Sequence, residues 1–117
     1  MSSTTIIDSY SVGKKNEMIK LKITIHKAQI AKSTVRKSKT IIGEFDNSFE
    51  LDLGLGRDIL GSIFYINTTE ADIDPDGNKV SFTIEITGGV SPYINSRMQT
   101  VSPGGFVLFN AEIVMIP

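Results

Sequence analysis

A strict alternation of apolar and polar side chains runs through most of this chain, and it leaves little room for anything but β-strands. Ile19, Leu21, Ile23 and Ile25 alternate with Lys20, Lys22, Thr24 and His26. Val80, Phe82, Ile84 and Ile86 alternate with Ser81, Thr83, Glu85 and Thr87, and Phe49, Leu51 and Leu53 with Glu50 and Asp52. Successive strand side chains point to opposite faces, so each run buries one face and wets the other. The abundance of β-branched residues in these runs favours strand over helix.

Turn chemistry separates the runs. Asp74-Pro75-Asp76-Gly77 offers Pro at the second position of a type I turn and Gly where a left-handed backbone is wanted. Gly88-Gly89 suits a tight hairpin with positive φ at its centre, and Ser102-Pro103-Gly104-Gly105 a type II turn. The expected fold is an all-β, antiparallel β-sandwich, a meander of about seven to eight strands in a single domain spanning 1–117. The strands fall at about 5–12, 18–26, 39–46, 48–53, 60–68, 79–87, 91–100 and 105–116. Lys27 to Ser38 is expected to be a connection. Leu55, Ile59, Ile63 and Ile66 recur near helical spacing, but Gly56 and Gly61 would each cost a helix about 1 kcal/mol. A turn at about 54–58 followed by a strand is expected instead.

The last strand is apolar on both faces at both ends. Val107, Phe109, Ala111, Ile113 and Met115 line one face; Phe106, Leu108, Val114 and Ile116 flank Asn110 and Glu112 on the other. Such a strand either runs through a doubly covered position or meets another chain.

Charge is segregated along the chain. Residues 1–40 hold nine bases against two acids, whereas residues 41–117 hold three bases against 11 acids. A basic segment is the footprint of nucleic-acid binding, yet Lys14 to Lys39 contains no Phe, Tyr or Trp on which a base could stack. The segregation is therefore read first as a solvated face and second as two faces of opposite sign that attract between copies. Nucleic acid is not an expected partner.

Catalytic and metal chemistry have few residues to draw on. The chain has no Cys and one His, His26, which excludes thiolate nucleophiles, zinc–thiolate sites and two-His zinc motifs. Gly56 to Ser62 has the glycine spacing of a phosphate loop but Ser62 where the lysine belongs. Asp72-Ile-Asp74-Pro-Asp76-Gly77-Asn78 resembles the first half of an EF-hand calcium loop, in which alternate oxygens converge on a hard cation. The candidate metal ligands are thus Asp72, Asp74, Asp76 and Asn78. The closing glutamate is missing, since Thr83 holds the twelfth position, and the same residues form a good hairpin turn.

These features lead to a non-enzymatic binding or structural module without a cofactor that self-associates or binds another protein. The alternative is a calcium-assisted, lectin-like carbohydrate-binding domain, with Tyr10, Tyr65 and Tyr93 as the rings available to a sugar. No stretch is long and apolar enough to span a bilayer as a helix. Residues 1–8 lack a basic start, an apolar stretch and a small-residue cleavage site, so the expected location is cytoplasmic, or exported without a cleaved N-terminal signal.

Overall fold

The alternating runs become strands and pack face to face. The computed structural model describes residues 2–13, 16–26, 29–72, 79–101 and 105–117. They form β1 (Ser2–Ser11), β2 (Met18–Ile25), β3 (Gln29–Lys37), β4 (Thr40–Asp46), β5 (Phe49–Leu55), α1 (Gly56–Ile59), β6 (Ile63–Asp72), β7 (Lys79–Thr87), β8 (Tyr93–Thr100) and β9 (Phe106–Ile116). Sheet A has the order β1-β9-β6-β3-β4 and sheet B the order β5-β2-β7-β8, giving the expected all-β sandwich.

The inward rows are those that the alternation marks. Ile19, Leu21 and Ile23 of β2 and Val80, Phe82, Ile84 and Ile86 of β7 face Phe64 and Ile66 of β6 and Val107, Phe109, Ala111 and Ile113 of β9. Burying each such side chain stabilises the fold by about 1.5–3 kcal/mol before entropy is counted. Phe82 and Phe109 stack across the two sheets with ring centroids 5.1 Å apart.

Several expectations are corrected. The described residues hold nine strands, because Lys27 to Ser38 contains β3. Its inward row is Gln29, Ala31, Ser33 and Val35, in which buried polar side chains interrupt the apolar alternation. Ser33 Oγ is satisfied by Thr68 Oγ1 of β6 at 2.7 Å, so the strand tolerates a polar residue inside. The chain is not a simple meander: β1 lies parallel to β9, and the other pairings are antiparallel.

In place of a turn at 54–58, Gly56–Ile59 forms one helical turn, closed by the Leu60 amide donating to the Gly56 carbonyl at 3.0 Å. That turn drives Ile59 into the core, and Gly61, at φ +85°, ends it. Gly88-Gly89 is not a two-residue hairpin, since β7 and β8 are joined by residues 88–92. Gly88 takes φ +102°; Gly89 is needed because a side chain there would meet the Ser11 carbonyl and the Tyr10 ring. The turns at 74–77 and 102–104 lie outside the described residues.

One corner is built from side chains. Asn47, at φ 60°, donates its amide to the Ala31 carbonyl (2.9 Å) and accepts from the Ala31 amide through Oδ1 (3.1 Å). Ser48 Oγ accepts from the Ile25 amide at 2.8 Å. The crossover from β4 to β5 thereby satisfies main-chain groups at the end of β2 and the start of β3.

Candidate functional site

Three of the four candidate metal ligands fall on residues that the structure does not describe. Asp72 ends β6, and Asp74, Asp76 and Asn78 lie outside the described residues. Among the described residues, no group of three or more His, Cys, Asp or Glu side chains could hold a metal ion.

Two residues before Asp72 the structure places a carboxyl group that alternation does mark but that the expected end of the strand near residue 68 leaves out. Glu70 follows Phe64, Ile66 and Thr68 on the inward row of β6 and is 0% exposed. Neither of its carboxyl oxygens has a hydrogen-bond partner among the described residues. Burial pushes its pKa from the ordinary 4.5 to about 8, and the nearby Ser81 amide offsets this only in part. That amide donates instead to Gln29 Oε1 at 3.0 Å, while Gln29 Nε2 donates to the Lys79 carbonyl at 2.8 Å. Gln29 thus pins β3 of one sheet to β7 of the other next to a carboxyl group whose burial favours its neutral form.

The charge segregation in the sequence becomes cross-strand alternation. Lys20 stands opposite Asp52, and Lys22 opposite both Glu50 and Glu85, on the wet face of sheet B. Lys32 stands opposite Asp46 on sheet A. Each such pair contributes only tenths of a kcal/mol in water, and each wet face carries both signs.

The four sheet edges differ. In β4, Ile42 is an extra residue between the positions opposite Val35 and Arg36; in β5, Leu53 is extra between those opposite Ile19 and Lys20. Both edges also carry acids, Glu44 and Asp46 or Glu50 and Asp52. Bulges and charges are the usual means of blocking an edge. β1 and β8 pair with their neighbours without a register shift. They meet along one side of the sandwich, where Tyr93 Oη donates to Asp8 Oδ2 at 2.9 Å and Asn95 Nδ2 donates to Tyr93 Oη at 3.2 Å. Partial burial, with the Asp8 carboxylate beside it, holds the Tyr93 phenol above its ordinary pKa. The four most exposed large apolar side chains among the described residues lie on these two strands and the loop before β8, but on different faces: Ile7 (73%) points out from sheet A, Ile94 (62%) and Met98 (65%) point out from sheet B, and Val90 (66%) precedes β8.

The outer face of sheet A carries a second surface. β9 lies centrally between β1 and β6, yet its outer row is not doubly covered, since Phe106 and Ile116 are exposed. Phe106 joins Ile30, Thr69 and Ala71 along an open groove of about 680 Å³. Further along, Arg36 Nη2 donates to Asn67 Oδ1 (3.3 Å) and Asn67 Nδ2 to Asn110 Oδ1 (2.8 Å). The Arg36 guanidinium lies 5.1 Å from the Tyr65 ring centre. Thr5, Tyr65, Asn110 and Glu112 surround a shallow depression of about 170 Å³. Of the three tyrosines, Tyr65 alone remains as a platform: Tyr10 is buried with its hydroxyl accepting from the Gly89 amide at 2.8 Å, and Tyr93 is held in the β1–β8 seam.

The described residues define a small all-β protein of two packed sheets. No family model matches the chain, and comparison with curated proteins and with solved structures finds no match. No helix among the described residues is long and apolar enough to cross a membrane.

Proposed function

We propose that the chain is a non-enzymatic structural module that assembles with copies of itself through the side of the sandwich formed by β1 and β8. The observation that carries this reading is the coincidence of the two unbulged edges with the four most exposed large apolar side chains. Unblocked edges pair with other strands, and exposed alkyl groups beside them add apolar burial to that pairing. Light scattering on the native chain is expected to give a mass above 12.8 kDa that rises with concentration. The Ile94→Lys, Met98→Lys double variant, which places charge on the wet side of β8 and touches no core residue, is expected to stay at 12.8 kDa. A native chain that remains monomeric over the same range would overturn the reading.

A second reading, calcium-assisted carbohydrate binding, draws on the Tyr65–Asn67–Asn110–Glu112 surface. Carboxylate and amide groups beside an aromatic ring are the groups that bind sugar hydroxyls and stack on a sugar ring. The Asp72–Asn78 segment would supply the calcium ligands. A bound cation at about 100 times its dissociation constant adds roughly 2.7 kcal/mol, a shift of several degrees in the melt. This reading therefore expects a higher melting temperature in calcium than in chelator, lost in Asp72→Asn, Asp76→Asn, and glycan-array binding lost in Tyr65→Ala. Identical melts and a blank array would remove it.

A further inference from the structure

Strand β8 is complementary to itself in one register. We propose that two copies of the chain join by antiparallel pairing of β8 with β8 of the second copy, about a two-fold axis at Ser96, so that sheet B continues across both copies. This rests on the self-association reading above and specifies its geometry.

Two of the four edges, β4 and β5, carry bulges and acids. β1 and β8 each hold one charge on the inward row, Asp8 and Arg97, but β1 exposes a single large apolar side chain, Ile7, where β8 exposes Ile94 and Met98. β8 presents Tyr93–Thr100 with no register shift, and its outer row of Ile94, Ser96, Met98 and Thr100 is uncharged.

Side-chain matching then selects the register. Directly opposed residues of an antiparallel pair share a face, so a two-fold axis must pass through a residue position if inward rows are to stay inward. An axis at Ser96 sets Ile94 against Met98 of the second copy, so that both exposed alkyl groups find an apolar partner. On the inward face it sets Asn95 against Arg97, and Tyr93 against Gln99. Moving the axis to Arg97 opposes the two Arg97 side chains and leaves Met98 facing Ser96. Moving it to Asn95 leaves Ile94 facing Ser96 and sets Met98 against Pro92, outside the strand, so that the two exposed alkyl groups no longer meet each other. Like charges directly opposed disfavour a pair, and apolar pairs favour it, so the Ser96 axis is preferred over its neighbours.

The chain has no cysteine, which makes a single introduced thiol a clean probe. Ser96 is exposed and its hydroxyl bonds to Thr83 Oγ1 (2.9 Å) on the wet face, so Ser96→Cys leaves the core untouched. Under mild oxidation, and separately with a short bifunctional thiol cross-linker, Ser96→Cys is expected to run mainly as a species of twice 12.8 kDa. Ser9→Cys on β1 and Ser81→Cys on β7 are expected to stay mainly single. Light scattering on the native chain is run alongside. An oligomeric native chain with no preference for Ser96→Cys would overturn the β8 register while leaving self-association standing. A native chain that is monomeric throughout would overturn both.

Discussion

Replacing Glu70 with glutamine is expected to remove a loss of stability that the native protein suffers between about pH 5 and pH 8. The native carboxyl has its pKa raised from 4.5 to about 8, so the folded state holds a proton that the unfolded chain releases. Stability from this group is complete below about pH 4.5 and is lost as the pH rises through about 8. The loss over that interval is about 3–4 kcal/mol, or roughly 10 °C or more in melting temperature for a chain of this length. Glu70→Gln cannot ionise, so its melting temperature is expected to stay flat over the same range. The two curves should cross, because the buried amide of the variant has unmet donors that cost stability at low pH. Glu70→Met, which carries no polar atom to satisfy, is expected to lie above both at pH 8. Parallel pH profiles for the native chain and both variants would show that the carboxyl reaches water or a base in the folded state.

Truncating Phe109 is expected to have an effect of similar size by a different cause. Phe109 is fully buried at the centre of β9 and stacks on Phe82 from the opposite sheet, so Phe109→Ala opens a cavity between the two layers. Such a change costs about 3–5 kcal/mol, a large share of the 5–15 kcal/mol typical of a domain. Chemical denaturation should show the midpoint falling accordingly, with Phe109→Leu falling less. A cycle with Phe82→Ala is expected to return a coupling of about 0.5–1.5 kcal/mol from the ring pair itself. Additive losses would mean that the rings fill space without interacting specifically.

How far the fold is legible in the sequence depends on how cleanly each strand alternates. β7 is read at its observed bounds and β2 to within one residue, because every inward position in them is aliphatic or Phe. β3 is missed because Ser33 occupies the middle of its inward row, and the Thr68 hydroxyl that makes this tolerable lies 35 residues away. The same alternation marks Glu70: it continues Phe64, Ile66 and Thr68 at period two, but an acidic residue reads as a strand end unless the period is trusted over the residue type. Order of strands is a different matter. Nothing local in β1 announces a parallel partner at the far end of the chain, since periodicity fixes which face is buried and not which strand lies alongside.

The charge pattern carries a similar lesson. Read along the chain, a basic first third and an acidic remainder suggest first a solvated face and second two faces of opposite sign. Folding sets β2 between β5 and β7, and β3 beside β4, so the two halves interleave as Lys22 with Glu50 and Glu85, and Lys32 with Asp46. The segregation in sequence is therefore a consequence of which strands are neighbours in space. The exposed apolar side chains of β1 and β8 carry no such explanation within one copy, which is why the proposed assembly rests on them.

The parallel pairing of β1 with β9 also decides how the molecule would bear tension. Ser2 lies beside Val107 and Ser11 beside Ile116, so the two chain ends leave from opposite ends of adjacent strands. A pull between residues 2 and 117 slides β1 lengthwise along β9 and loads the bonds of that ladder together, where a hairpin pulled at its two ends would unzip one bond at a time. A load applied between these two positions is thus carried in shear by the whole β1–β9 ladder.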